Sequence, residues 1–159
     1  MISHLNKKNK PQIVNINKKK ITTRIAIAKG SVVFSKNLFK KIEKMQTIKG
    51  EILSISIIAG INGAKKTSEL IPLCHNINIE NIDIDIKPNK LNNSLSILAK
   101  VIACGKTGVE MEALTAVSIA SLTIYDMCKS IDKNIKISEI QLVSKKGGKS
   151  DYSINKTLK

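Results

Sequence analysis

Four side chains in the second half of the sequence have the types and spacing of acid–base groups. Glu110 and Glu112 flank Met111, while Asp126 and Lys129 stand three residues apart in YDMCKS. In an extended segment the two glutamates point to one side, whereas in a helix they diverge by about 100° per residue. The commoner interpretation is structural. The glutamates are then acids in the first turn of a helix, and Asp126 and Lys129 form an ion pair along it. Proton transfer by these carboxylates is the functional interpretation.

Asp126 closes an uncharged stretch that starts at Ala113. An acid in this position is expected beside a buried surface, where desolvation can tune its pKa for proton transfer. On one straight helix Glu112 and Asp126 stand about 21 Å apart, too far to contact one small substrate. Either the glutamates lie on a loop that folds back, or the site combines residues from two subunits. The small residues of this helix favour the second hypothesis, because they permit close contact between helices.

Cys74 and His75 place a thiol beside an imidazole in LIPLCHNINI, residues 70–79. A zinc site needs about four ligands, but the chain has no CxxC pair and its other histidine is His4, in a polar segment. Adjacent side chains of an extended chain point in opposite directions, so the pair is a poor nucleophile and base. We therefore expect no metal site, and we expect His75 to contact an anionic substrate or to hold a loop.

A basic loop, SKKGGKS, presents Lys145, Lys146 and Lys149 around two glycines. It lacks the first glycine of the P-loop pattern. Lysines on a glycine-containing loop still suit a polyphosphate, as point charges beside backbone amides. From these residues alone, a solvated terminal loop is an equally good interpretation.

The net charge of +15 is concentrated at the two ends of the 159-residue chain. Residues 1–42 hold eleven cations and no acid, and residues 133–159 hold seven lysines and two acids. All cations except Arg24 are lysines, which lack the fork that reads guanine, and only 3% of residues are aromatic. Solvated ends explain this charge, and a basic nucleic-acid-binding module is the disfavoured alternative.

Length and composition predict one domain with an aliphatic core. We expect a flexible basic tail over residues 1–10, the domain over 11–152 and a flexible tail over 153–159. No uncharged run is long and apolar enough for a membrane span, and the lysine-rich start lacks the apolar stretch of a secretory signal. Three widely spaced cysteines indicate reduced thiols and a cytoplasmic protein.

The predicted scaffold contains both strands and helices. Period-two patterns predict strands in QIVNI, in TRIAIAKG, and in INIENIDIDIK with a phase slip near Asn81. LSILAKVIACG is the expected antiparallel partner of INIENIDIDIK, and ISEIQLVSKK is the last strand. Ser35 is a candidate cap for a short helix, residues 50–70 form a glycine-packed helix before Pro72, and LTAVSIASLTIYDMCKSI forms a long one. This order fits an α+β two-layer sandwich, with helices on one face of a largely antiparallel sheet.

Three segments resemble the cyclic pyranopterin monophosphate synthase family of molybdenum cofactor biosynthesis: KKTSELIPLCH, GKTGVEMEALTAVSIASLTIYDMCK and KKGGKS. The resemblance runs from about residue 11 to residue 151. It implies a ferredoxin-like α+β subunit in a homohexamer, a trimer of dimers, with active sites at subunit interfaces and no cofactor. The implied lyase converts 3′,8-cyclo-7,8-dihydroguanosine 5′-triphosphate into cyclic pyranopterin monophosphate and releases pyrophosphate.

The resemblance also implies roles for individual residues. Asp126 matches the catalytic aspartate of the family, Lys129 matches a neighbouring site lysine, and Lys49 matches a lysine of the pocket. The residues that match substrate-contacting positions are Leu73, Cys74, His75, Glu110, Met111, Glu112 and Lys145.

These roles agree with the chemistry of the side chains. Several lysines can neutralise a triphosphate, glutamates can accept hydrogen bonds from a guanine-derived N–H edge, and Asp126 with a desolvated lysine suits proton transfer. Asn76, Lys146 and Asp151 depart from the proline, serine and glycine that are usual in the family. We therefore expect local differences in the two loops that carry these three residues.

Overall fold

Nine elements follow one another in the computed structural model, which describes residues 4–6, 8–44 and 46–154, with the backbone alone for 46–50. In chain order they are β1 (Thr22–Val33), α1 (Lys36–Lys44), α2 (Gln46–Lys65), α3 (Thr67–Leu70), β2 (Ile79–Asn89), β3 (Ser94–Gly105), α4 (Glu110–Cys128), β4 (Lys136–Lys146) and β5 (Tyr152–Ser153).

The strands form one antiparallel sheet in the order β2-β3-β1-β4-β5. Without the two-residue β5, the chain runs β-α-β-β-α-β, and the sheet order is that of a ferredoxin-like fold. Helices α2 and α4 pack against the sheet. The predicted α+β two-layer sandwich is therefore confirmed.

Small residues on the inner face of the sheet let α4 pack closely. In β1 the buried row includes Ala26, Ala28 and Val32, and in β3 it includes Ala99 and Val101. The alternation in TRIAIAKG therefore predicted a strand correctly, although β1 continues past Gly30 to Val33. Short side chains in the centre of the sheet leave room for the helix backbone above it.

Strand β2 contains the predicted phase slip. Its pairing with β3 shifts register between Ile79 and Asn81. Ile84 and Ile86 beyond the slip are buried, and the isoleucines on either side of it pack against the core. One extra residue in the strand thus lets both parts direct isoleucine inwards.

Helices α2 and α4 approach each other through glycine. A Cβ on Gly60 would lie 2.9 Å from the carbonyl oxygen of Ala116, and one on Gly63 would lie 2.6 Å from Ile119 Cγ1. The predicted close packing of this helix through small residues is therefore confirmed. The predicted cap on the preceding helix is also present, since the hydroxyl of Ser35 accepts a hydrogen bond from Leu38 N at 3.3 Å.

Two local predictions are wrong. QIVNI, residues 12–16, forms no strand, and its Val14 and Ile16 line a pocket instead. Helix α4 begins at Glu110, four residues before the predicted start. The glutamates therefore lie in its first turn, which excludes both the extended segment and the loop that folds back.

The division into a domain and two flexible tails stays a prediction, and residues 1–3, 7 and 155–159 lie outside the described residues. Within the described part, Leu5 and Pro11 form an antiparallel bridge, and Gln12 N donates to the carbonyl of His4 at 2.9 Å. No described helix has both the length and the hydropathy required to cross a membrane.

The contact between α2 and α4 predicts a sensitive position. Replacing Gly60 with Val should lower the free energy of unfolding by about 1–3 kcal/mol, because the new side chain meets the backbone of α4. The matched control is Asn62→Val, at an exposed position of the same helix, which should change stability far less. Urea unfolding followed by circular dichroism measures both. Equal stability of the two variants would show that the helices are not in close contact.

Candidate active site

Helix α4 carries predicted site residues at both ends. Glu110 and Glu112 lie in its first turn, Asp126 lies in its last turn and Lys129 follows as the C-cap residue. Fourteen residues of straight helix separate the two carboxylates by about 21 Å. One chain therefore brings together only part of the predicted site, at the start of α4.

A cavity of about 260 Å³ lies at this end of the helix, and we call it the α4 pocket. All of the predicted substrate-contacting residues except Lys145 line it. The complete lining is His4, Leu73, Cys74, His75, Ile77, Thr107, Gly108, Glu110, Met111 and Glu112. The loop before β2 and the first turn of α4 thus meet at one cavity.

Glu112 is the most deeply buried acid of the site. Glu112 is 3% exposed, and its Oε2 has no hydrogen-bond partner among the described residues. Burial raises the pKa of Glu112 to about 7; a backbone hydrogen bond opposes this rise and the negative charge of Glu110 adds to it. Near neutral pH the carboxyl can therefore hold a proton and donate it to a ligand.

Cys74 has the properties of an unreactive thiol. Burial, and secondarily the charge of Glu112, raises the pKa of Cys74, which keeps the thiol protonated. Within residues 4–6, 8–44 and 46–154, no three His, Cys, Asp or Glu side chains are grouped as metal ligands would be. The environment of Cys74 thus agrees with the sequence-based argument against a nucleophilic thiol.

His75 holds the N-terminal part of the chain. Its Nε2 donates a hydrogen bond to the carbonyl oxygen of Val14 at 2.8 Å. In the neutral ring this contact leaves Nδ1 as the acceptor. Because His75 also lines the α4 pocket, the loop-holding role and a ligand contact are compatible in the same side chain.

A second cavity, of about 360 Å³, adjoins the α4 pocket, and we call it the basic pocket. The two cavities share His4, His75, Thr107, Gly108 and Glu110. The cations that line the basic pocket are Lys19, Arg24, Lys106, Lys145, Lys146 and Lys149. One continuous cleft therefore combines a buried carboxyl with a group of cations, an arrangement suited to a ligand with both a ring and phosphates.

Arg24 is held in a fixed position in the basic pocket. The residue is 8% exposed, and its Nε donates to the carbonyl oxygen of Gly105 at 3.1 Å, across the β1–β3 pair. Lys145 is the second fixed cation, since its Nζ lies 3.1 Å from Glu110 Oε1. A preorganised guanidinium beside lysines favours binding of phosphate groups.

The basic loop folds back onto β1 and is not a free terminal segment. Thr22 Oγ1 donates to the carbonyl oxygen of Gly147 at 2.6 Å, and Gly147 N donates to Asp151 Oδ1 at 3.2 Å. Gly147 has a φ of 82°, which favours glycine, and any Cβ there would clash with the carbonyl oxygen of Thr23. Asp151, a departure from the family pattern, therefore closes this loop.

Sequence reasoning missed Arg24, Lys106 and His4 as pocket residues. Arg24 gave a usable signal, because it is the single arginine of the chain and interrupts an otherwise apolar alternation in β1. Lys106 and His4 gave none, since nothing in their local sequence distinguishes them from surface residues.

Asp126 and Lys129 form an exposed ion pair in the single chain. Their Oδ1 and Nζ atoms are 2.6 Å apart, the side chains are 70% and 56% exposed, and hydrogen bonding to Asp126 raises the pKa of Lys129. The expected setting of Asp126 beside a buried surface, and the desolvated lysine, are wrong for this chain by itself. Ile124 and Cys128 lie on the buried face of this turn instead. The side chain of Lys49 lies outside the described residues.

Comparison with known proteins assigns this architecture to a family. The model of the MoaC family matches residues 13–148. The relatives named cyclic pyranopterin monophosphate synthase include the following three. The one from Helicobacter pylori (strain Shi470) is 50% identical over 156 residues, covering 98% of this chain and 99% of the relative. Those from Clostridium acetobutylicum and Heliobacterium modesticaldum are 47% and 44% identical, covering 94% and 96% of this chain and 93% and 96% of the relatives.

These matches span the α4 pocket, the Asp126–Lys129 pair and most of the basic loop, and they confirm the resemblance seen in the three sequence segments. The chain belongs to the MoaC family.

Proposed function

We propose that this chain is an enzyme with cyclic pyranopterin monophosphate synthase activity in molybdenum cofactor biosynthesis. It converts 3′,8-cyclo-7,8-dihydroguanosine 5′-triphosphate into cyclic pyranopterin monophosphate and releases pyrophosphate. The observation that carries the proposal is the continuous cleft, which places the buried carboxyl of Glu112 next to six cations. The names of relatives that match nearly the whole chain support it.

The two halves of the cleft suit the two halves of this substrate. The triphosphate lies in the basic pocket, where Arg24, Lys145 and Lys149 offset its charge. The guanine-derived ring lies in the α4 pocket, where Glu110 and Glu112 bond its polar edge. Leu73, Cys74 and Met111 form the less polar wall, and His75 is within the same lining.

Proton transfer falls to Asp126 and Lys129, supplied by a neighbouring subunit. In the single chain this pair is exposed and about 21 Å from Glu112, so a complete site requires a second copy. At an interface the pair loses water, which tunes its pKa values for acid–base work. Lys49 is the third residue of this catalytic set.

A homohexamer, a trimer of dimers, provides such interfaces. The helical layer exposes large apolar side chains, with Ile55, Ile58 and Leu122 at 47%, 60% and 55% exposure. Leu98 and Ile140 in the sheet are also exposed. Apolar patches of this kind are typical of surfaces that another subunit covers. A cytoplasmic location remains part of the proposal, and the three unpaired cysteines support it.

The alternative of a nucleic-acid-binding module has less support. Four lysines of the second half, Lys106, Lys145, Lys146 and Lys149, line a cleft that also contains Glu110, whereas a phosphate backbone needs an extended cationic surface. Family membership also favours the enzyme.

Direct conversion of the cyclised GTP intermediate tests the function. The purified protein should release pyrophosphate and a cyclic-phosphate pterin in equal amounts, measured by a coupled phosphate assay and by mass spectrometry. Asp126→Asn should lower kcat by roughly 10²-fold or more, because it removes an acid–base group. Asp83→Asn, at an exposed position in β2, is the matched control and should retain normal turnover. Well-folded protein that makes no product would contradict the proposal.

Mixing inactive variants tests the shared site. Glu112→Gln and Asp126→Asn proteins, mixed under conditions of subunit exchange, should regain activity in about a quarter of the sites, since some sites then combine two intact halves. A mixture of Glu112→Gln with Glu110→Gln is the control, because both lesions lie in the half-site of one chain. That mixture should stay inactive. Exchange is verified by native mass spectrometry of isotope-labelled subunits, and exchange without rescue would refute a shared site.

The raised pKa of Glu112 predicts how stability depends on pH. Its ordinary value is 4.5 and its folded value is about 7, so over this range the unfolded chain loses the proton first. Stabilisation is therefore complete below about pH 4.5 and is lost as the pH rises to about 7. Relative to Glu112→Gln, the wild-type free energy of unfolding should fall by up to about 3 kcal/mol over this range. Urea unfolding at several pH values measures this.

The matched control for this titration is Glu51→Gln, because Glu51 is exposed on α2. The same urea unfolding series is measured for this variant. A constant difference between Glu112→Gln and the wild-type protein would show that the buried carboxyl does not titrate in this range.

A further inference from the structure

The start of the described chain forms a strap over the cleft, and we define this strap as residues 4–6 and 8–16. Its first part is a tight loop, in which Asn6 Oδ1 accepts hydrogen bonds from Lys8 N at 2.8 Å and Lys10 N at 3.0 Å. Its later part is tied to the site by the bond from His75 Nε2 to the carbonyl of Val14. The strap is thus fixed to the cleft at a named contact.

His4 connects the strap to both halves of the cleft. It lines both the α4 pocket and the basic pocket, whereas Val14 and Ile16 line the basic pocket and no residue of the strap except His4 lines the α4 pocket. The backbone of His4 is held by Gln12 N, which donates to its carbonyl oxygen at 2.9 Å. The imidazole therefore stands where the two halves of the cleft meet.

Two buried polar atoms of the α4 pocket have no partner among the described residues. They are Nδ1 of His4 and Oε2 of Glu112. A buried polar atom without a hydrogen bond costs about 1–3 kcal/mol, and most such atoms in native structures are paired. Glu112 is also 3% exposed, so water has little access to its side chain. Because His4 and Glu112 both line the α4 pocket, a ligand in this cavity lies beside both unpaired groups.

The chemistry of the two atoms limits the ligand. Nδ1 of a neutral imidazole either accepts or donates one hydrogen bond, and a protonated carboxyl donates while its ionised form accepts. A heterocyclic edge with adjacent N–H and carbonyl groups can satisfy both atoms at once. A phosphate group would satisfy only the donors, and the six cations for phosphate lie in the basic pocket.

We propose that His4 is a substrate-contacting residue of this site, and that its Nδ1 and Glu112 Oε2 together bond the polar edge of the substrate ring. The inference rests on the proposed function, which it extends to a residue outside the predicted site. The strap delivers the imidazole, and the bond between His75 and Val14 keeps the strap seated. Ring recognition in the α4 pocket thereby depends on a segment that the rest of the domain does not need for its core.

Three variants separate a ligand contact from a structural role. His4→Leu keeps the bulk but removes the nitrogen, and should raise KM roughly 5- to 100-fold, as expected for an unpaired buried group. His4→Asn places a polar atom near the position of Nδ1 and should recover most of that loss. Gln12→Leu changes an exposed residue of the same strap and should leave KM within about twofold.

Histidine NMR supplies a readout that does not depend on turnover. The chain has two histidines, so ¹⁵N-histidine labelling gives two imidazoles, assigned with the His4→Asn protein. In Asp126→Asn protein, the cyclised GTP intermediate should shift the Nδ1 signal of His4. The Nε2 signal of His75 reports whether the strap remains seated in each variant.

The inference is supported if the substrate shifts the His4 signal, and if KM rises in His4→Leu and returns towards the wild-type value in His4→Asn. An unmoved His4 signal with saturating substrate overturns it, as does unchanged KM in His4→Leu. If wild-type protein binds the intermediate but makes no product, the proposed function fails, whereas the His4 signal still decides this inference.

Discussion

The rigidity and length of α4 set the geometry on which the rest of the site depends. The helix spans Glu110–Cys128, and α2 locks it through the close approaches at Gly60 and Gly63. Its first turn is therefore held over the cleft, while Asp126 in its last turn is held about 21 Å from Glu112. A helix fixed along its length cannot bend to bring both ends to one ligand, so the polar groups at its two ends do not meet on one small ligand within a single chain.

Burial dominates the electrostatics at the first turn of α4. A helix N-terminus normally favours an ionised acid, and a backbone hydrogen bond lowers the pKa of Glu112 accordingly. The loss of water outweighs this effect, so the carboxyl titrates near neutral pH. Glu110, two residues away, is less buried and has Lys145 as its counter-ion. Two neighbouring acids on one turn thus differ in their surroundings, since Glu112 is buried and Glu110 has a lysine beside it.

The periodic parts of the sequence predicted most of the scaffold, whereas solvent exposure and long-range contacts were harder to infer. Alternation located β1, β2 and β3, and the phase slip at Asn81 appeared as a register shift. The same pattern failed in QIVNI, because a strand also needs a partner strand and this segment lines a pocket instead. The uncharged run before Asp126 did not reveal that this residue lies on the solvent side of α4. His4 was undetectable, since its place in the cleft depends on the bond between His75 and Val14.

The ion pair between Lys145 and Glu110 connects the two halves of the cleft. Both residues line the basic pocket, and Glu110 also lines the α4 pocket. In the proposed function a triphosphate competes with Glu110 for Lys145, because a phosphate carries more charge than a carboxylate. Glu110 then loses its counter-ion and becomes available to the N–H edge of the ring. In the proposed function, phosphate binding in one half of the cleft thus frees Glu110 for ring binding in the other half.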